Sequence, residues 1–376
     1  MKNMASSLLV ILVFIVSIVG CDTKESTPEY TKYSGSFYDT FDTIIQVVGY
    51  TRSQQEYDQY LSSIHAQFLE LHKLYTTFDD YDGIANIKTI NDNAGVKPVV
   101  VDQKIIDLIL FARTWNDQTG TKTNIAMGSV LRIWDQYREE GISDPQVAKL
   151  PPMESLRKAE LHTNIENIIV DEEERTVYLS DPAMSLNVGA IAKGYATELV
   201  ARAIMEEGLT SGIISSGGNV RVLGKPLDQE RERWGIGIQN PERFIALEED
   251  NLLDTIFLND ASVVSSGDYQ RYYVVDDQVI HHIIDPDTLM PAQHYRAVTI
   301  VTEDSGVADY LSTTAFILPY EESRALIEGV EDAEAIWVFH DGKVEATAGM
   351  KDIMKSHGAT GVKVNGLKTE KKDSAN

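Results

Sequence analysis

The chain has 376 residues, 43% hydrophobic and 24% charged, the composition of an ordinary globular protein with material for one large core or two closely joined ones. Acids outnumber bases 58 to 33, and the formal net charge of −25 argues against nucleic acid or anionic lipid as partners. A single cysteine, Cys21, excludes an internal disulfide, so stability must come from burial.

Lys2 precedes an apolar run, Leu8–Val19 (LLVILVFIVSIV), followed by Ile18-Val19-Gly20-Cys21. The run is too short for a bilayer, which needs about 20 apolar residues. A small residue before a lone thiol reads as a lipobox, and predicts a cleaved lipoprotein signal at 1–20 with Cys21 carrying the lipid. On this reading the mature chain has about 355 residues and a charge of −26, and works outside the cytoplasm, lipid-anchored to the membrane through Cys21. Residues 21–36 read as a polar tether, 37–350 as the main domain, and 351–376 as a charged, partly disordered C-terminal extension.

Thr43–Tyr50 is β-branched and apolar and predicts a strand. Helical spacing follows over Gln54–Phe78 and Gln103–Asn116. Glu166–Val170 and Thr176–Leu179 flank an acidic turn and predict a hairpin. Ala190–Glu207 predicts a helix stopped by Gly208, and Gly212–Ser215 a short strand. Leu227–Asp250, rich in charge, reads as a surface insertion or long hairpin. Short alternating segments from Trp234 to Ile284 predict an antiparallel sheet. Arg296–Val301 and Ala335–His340 predict strands, Gly306–Leu318 and Glu321–Glu328 helices. Helices and antiparallel strands do not alternate strictly, so the expected class is α+β: mixed, largely antiparallel sheets with packed helices, in one large domain with two subregions.

Four segments carry chemistry, and each also has a plain structural alternative. In Leu186–Tyr195 (LNVGAIAKGY) a strand end leads into a helix start bearing Lys193, whose free N–H groups and positive dipole end suit a phosphate; the glycines could equally serve close packing. Ser215–Asn219 (SSGGN) puts Gly217 and Gly218 after a strand, where backbone can approach a ligand or merely turn. His281–Pro286 (HHIIDP) puts a histidine and Asp285 near one strand end, the equipment for proton transfer or metal ligation, or a satisfied surface pair. Adjacent strand histidines face opposite ways, so only one can enter a site. In Gly306–Ala315 (GVADYLSTTA), Asp309 and Thr313 share a helix face and offer hard oxygens to Mg²⁺, or simply a solvated face. Ser265–Tyr269 (SSGDY) is a further ligand-binding or hairpin turn.

In this order the segments resemble the FAD:protein FMN transferase (ApbE) family. LNVGAIAKGYATELV, SSGGNV, SSGDYQRYY, HHIIDPDTLMP and ADYLSTTAFIL match its motifs, and FDTIIQVVGY and TNIAMGSVLRIW resemble its first strand and flavin-side segment. The resemblance spans roughly residues 37–350. It implies a T-fold-like catalytic domain, and transfer of FMN from FAD to a Thr or Ser of an acceptor protein, with Mg²⁺ and release of AMP. The implied metal ligands are the Ala190 carbonyl, Asp309 and Thr313. The implied flavin-nucleotide contacts are Phe41, Asn124, Asn187, Lys193, Ser266 and Ile284, with Gly217 and Gly218 near the pyrophosphate. His282 takes the place of the catalytic histidine, and Asp285 is expected to hold its loop. The implied acceptors are electron-transfer subunits carrying covalent FMN. The chain departs from the family pattern at Phe41-Asp42-Thr43 (usually Met-Gly-Thr), at Asn187 (often Asp) and at Leu289 (usually Gly).

The residues' own chemistry agrees with that implication. Breaking a pyrophosphate develops charge that a divalent cation and Lys193 can stabilise, and an alcohol nucleophile benefits from a base such as His282. Two other functions fit parts of the pattern. One is a Mg²⁺-dependent FAD pyrophosphatase, in which water replaces the acceptor. The other is a solute-binding lipoprotein, which needs neither the histidine nor the Asp/Thr pair.

Overall fold

A computed structural model of the chain describes residues 29–120, 122–242 and 251–362. Thr31–Thr40 (β1) and Thr43–Thr51 (β2) pair as a hairpin. Its turn residues Phe41 and Asp42 have φ of 53° and 50°, as a type I′ turn requires. β1 corrects the expected tether, because residues 31–36 are already sheet. Tyr33 and Phe37 pack on the core, and the small polar residues between them hide the strand pattern in the sequence.

Gln54–Tyr75 (α1) starts at Ser53, whose side chain accepts from the Glu56 N–H, and buries Tyr57, Ile64, Phe68, Leu71 and Leu74. It stops short of Phe78 because Thr76 is extended, with ψ 142°. The chain continues through Ile87–Asp92 (α2), Val99–Val100 (β3), Gln103–Thr119 (α3), Gly128–Ser143 (α4) and Met153–Glu160 (α5). The expected hairpin is Ile168–Asp171 (β4) and Thr176–Leu179 (β5), joined by β3. Ala192–Glu206 (α6) begins two residues later than its pattern suggested and ends before Gly208, whose φ is 116°. The second half comprises Gly212–Ser216 (β6), Asn219–Leu223 (β7), Trp234–Gln239 (β8), Leu252–Leu258 (β9), Ser262–Gly267 (β10), Tyr272–Val275 (β11), Gln278–His281 (β12), Ala297–Thr302 (β13), Ser305–Ile317 (α7), Tyr320–Glu328 (α8), Glu334–Val338 (β14), Val344–Ala346 (β15) and Ala348–Ile353 (α9).

Eight strands form one sheet in the order β1-β2-β6-β7-β10-β13-β14-β15, and every neighbouring pair is antiparallel. The expected α+β class is therefore observed. Helices α1, α6 and α7 pack on one face. The other face is covered by the β8–β9 hairpin and α9, through Trp234, Ile236, Ile256 and Met350 against Val222, Val263, Val301 and Ile336. Within Leu227–Asp250 the structure describes β8, which pairs with β9 beyond it, as the hairpin alternative expects; residues 243–250 lie outside the described set. Covered on both sides, β13 is buried at all six positions. Among the described residues, α9 and a 3₁₀ turn at Lys355–His357 extend the body past the boundary expected at 350. Cys21 and the tail Lys368–Asn376 lie outside the described residues.

Candidate active site

Phe41, Asn124, Asn187, Ala190, Lys193, Gly217, Gly218, Ser266, His282, Ile284, Asp309 and Thr313, predicted from segments scattered over most of the chain, line a single cavity of about 700 Å³. The β1–β2 and β6–β7 turns form part of its wall, and the start of α6 and the middle of α7 contribute its polar groups. Asp285 does not line it.

Asp309 is 5% exposed, so the solvated-face alternative does not hold. Its Oδ2 accepts from the Gly194 N–H at 2.8 Å and from Asn219 Nδ2 at 3.1 Å. Both bonds use one oxygen, leaving Oδ1 lone pairs for another ligand. Among the described residues no cation makes an ion pair with Asp309. Burial pushes its carboxyl above the usual range, against the pull of Lys193 and of those two donors. Thr313 follows one turn on, and the Ala190 backbone lies opposite in the same cavity. No cluster of three or more His, Cys, Asp or Glu suited to a metal occurs among the described residues. A buried carboxylate without an ion-pair partner, a hydroxyl and a carbonyl are instead a hard-oxygen set for a small divalent cation that keeps few protein ligands.

The α6–α7 contact depends on Gly194. A Cβ there would overlap both the Asp309 Cβ and the Ser305 carbonyl oxygen. Gly194→Ala is therefore expected to destabilise the protein by about 1–3 kcal/mol and to weaken cation binding, as read from urea unfolding and calorimetric titration. Gly217 is equally constrained. Its φ is 54°, and a Cβ would strike Thr43. The Gly217-Gly218 turn thus seats against the Phe41-Asp42 turn through Thr43.

Several predicted contacts are engaged in shaping the wall. Asn124 donates to the Thr163 carbonyl at 2.9 Å and accepts from the Ala126 N–H at 2.8 Å. Asn187 accepts from the Gly189 N–H at 2.9 Å, a job that needs an oxygen and no charge. The Phe41 N–H donates to His72 Nδ1 at 3.2 Å, and its ring meets the imidazole edge-on at 5.7 Å. Ser266 shares a hydrogen bond with Ser312 at 2.8 Å.

The two histidines divide as strand alternation requires. His281 is buried against Phe316, with Nε2 at 2.7 Å from the Ala292 carbonyl and Nδ1 accepting from the Ile283 N–H. His282 faces the cavity. Its Nδ1 is buried without a hydrogen-bond partner. Burial pushes its pKa down to about 3, and Arg271, His281, Lys193 and Arg138 add repulsion. Asp285 makes no hydrogen bond to His282 among the described residues. Asp285 Oδ1 accepts from Lys122 Nζ at 2.9 Å and from the Asp287 N–H at 3.1 Å. These bonds tie the carboxylate to Lys122 and to the following turn, so Asp285 holds the loop. Leu289, in place of the family's glycine, takes φ 61° and is kept there by burial and by Trp134 Nε1, which donates to its carbonyl at 3.0 Å.

Lys122, Asp135, Arg138 and Arg271 also line the cavity and were not anticipated. Lys122 pairs with Asp285 and Asp287, and Arg138 with Asp135 at 2.7 Å. Arg271 lies inside one motif segment, and Lys122 and Asp135 flank another. The carboxylate partners of Lys122 are distant in sequence, whereas Asp135 and Arg138 pair at i, i+3 on α4.

An antiparallel α+β scaffold that gathers hard oxygens, free cations and a neutral histidine in one cavity defines an enzyme site for an anionic ligand. The chain belongs to the ApbE family, whose model matches residues 41–337. It is 30% identical over 278 residues to the FAD:protein FMN transferase of Treponema pallidum, covering 72% of this chain and 75% of that one. It is 31% identical over 255 residues to one from Klebsiella pneumoniae, covering 68% and 75%. The crystal structure of the ApbE protein from Thermotoga maritima superposes with a TM-score of 0.75 at 26% identity, covering 86% of this chain and 99% of that one. Flavin transferase ApbE from Vibrio cholerae shares the fold, with a TM-score of 0.70 at 20% identity over 86% and 99% of the two chains.

Proposed function

We propose that this protein transfers the FMN half of FAD to a Thr or Ser hydroxyl of an acceptor protein and releases AMP. The observation that carries this reading is the convergence of Lys193, Asp309, Thr313 and His282 on one cavity in a chain of the ApbE family. Mg²⁺ held by Asp309, Thr313 and the Ala190 carbonyl would supply charge stabilisation to the diphosphate oxygens. The chain's own groups do the rest. Lys193 and the α6 N-terminus attract the diphosphate. The Gly217-Gly218 turn lets it approach the backbone. His282, neutral at physiological pH, takes the acceptor's proton at Nε2, since Nδ1 is buried. We further propose that Cys21 carries a lipid, holding the enzyme on the outer side of a membrane beside acceptors that are electron-transfer proteins.

Incubation with FAD, Mg²⁺ and a candidate acceptor, followed by in-gel flavin fluorescence, tests the reading. A fluorescent acceptor band that disappears with EDTA, and with the acceptor's Thr or Ser changed to Ala, is the expected result. Free FMN and AMP without labelled protein would make the enzyme a pyrophosphatase, and intact FAD would overturn the proposal.

A further inference from the structure

Of the four Lys and Arg side chains lining the cavity, Lys122 and Arg138 are held in ion pairs with carboxylates. Lys193 and Arg271 have none among the described residues; Lys193 Nζ reaches only the Gly189 carbonyl, at 3.5 Å. Lys193 and Arg271 are thus the two cavity-lining cations that no carboxylate neutralises by an ion pair among the described residues. Lys193 sits on the α6 side, with Asp309 and Thr313. Arg271 immediately precedes β11, on the side that carries His282, and its carbonyl accepts the His282 N–H at 3.1 Å. The same ladder that fixes the imidazole therefore fixes the root of the guanidinium. The charged groups around that imidazole are Arg271, His281 on β12, Lys193 on α6 and Arg138 on α4.

We infer that Arg271 is a second cation for the substrate's diphosphate, working opposite Lys193 on the phosphoryl group that is transferred; this rests on the transferase reading above. In the step, the acceptor oxygen forms a bond to the flavin-side phosphorus as its proton passes to His282. The bond from that phosphorus to the bridging oxygen breaks, and AMP leaves with the electron pair. Negative charge grows on the non-bridging and leaving oxygens, where a planar, five-donor guanidinium is suited to bind two oxygens at once. Arginines placed on transferred phosphoryl groups are worth about 10³–10⁵ in rate when buried. Arg271 is exposed and shares the task, so a smaller effect is expected.

Arg271→Ala should lower kcat/KM for FAD about 10²-fold and weaken FAD binding about tenfold, with riboflavin binding unchanged because riboflavin lacks the diphosphate. Arg271→Lys should recover about tenfold of the lost rate. Turnover within about threefold of wild type, a rise in KM for the acceptor alone, or an equal loss of riboflavin affinity would overturn the assignment. The wild-type protein run alongside tests the transferase reading separately. The FAD-against-riboflavin comparison judges Arg271 even if wild type splits FAD without labelling an acceptor, or does not split it at all.

Discussion

Asp309→Asn should lower kcat/KM for FAD about 10³-fold, equivalent to ~4 kcal/mol of charge stabilisation, and yet raise the Tm of the metal-free protein. The opposite signs share one cause. The carboxylate is buried without an ion pair, and burial raises its pKa above the unfolded value. Between those two values the folded state binds more protons than the unfolded, so stability from this group falls as pH rises through that window. Asparagine removes the charge but not the packing. Its one carbonyl oxygen can accept from both Gly194 and Asn219, because both already bond to Oδ2. Adding Mg²⁺ should raise the Tm of wild type and leave Asp309→Asn unmoved, since only a ligand bound to the native state stabilises it. Thermal unfolding with and without EDTA, beside steady-state assays, checks all of this. A metal-dependent Tm that survives the substitution would remove Asp309 from the cation site.

His282→Ala should retain FAD binding and lose transfer by about 10²–10⁴-fold, the usual worth of a positioned base. Because burial holds the imidazole at about 3 rather than 6.5, the rate of free enzyme with FAD should show no inflection near pH 6.5. As pH falls from 6.5 towards 3, unfolded chains gain a proton on this side chain that the fold refuses, so stability drops across that window. The alanine variant should lack this acid sensitivity. An incoming diphosphate offsets Arg271 and Lys193, moving the imidazole back up and strengthening it as a base when substrate is present. Stopped-flow FAD binding, pH–rate profiles and acid unfolding of both proteins separate these effects. Full activity in His282→Ala would exclude the histidine from the mechanism.

What could be read from the sequence was what depends on neighbours. Asp309 and Thr313 share a face because a helix repeats every 3.6 residues, and His281 and His282 diverge because a strand alternates. The order of motifs placed them in one family, and the sheet's antiparallel character followed from short segments and frequent turns. Long-range facts were hidden. Nothing near Asp285 says that Lys122 will claim its carboxylate. Nothing in α4 announces that its Asp135–Arg138 pair faces the cavity, because an i, i+3 ion pair is equally at home on a solvated helix face. β1 escaped notice because its apolar residues are spaced by Ser and Gly, and only its partner strand makes the alternation meaningful. The start of α6 shifted because Ile191 caps it without any side-chain hydrogen bond, so no capping residue marks the boundary.

The β11–β12 ribbon bears on how this enzyme could lose or change its chemistry. Its turn, Asp276-Asp277, has φ of 47° and 62°, a two-residue connection that locks Tyr272 opposite His281. Lengthening that loop by one residue would let the ribbon slide by one position and invert both of its faces. The imidazole now wedged against Phe316 would then be presented to ligand, and its neighbour would be driven into the interior. Which of the two histidines faces the cavity is thus set by two aspartates at the ribbon's far tip.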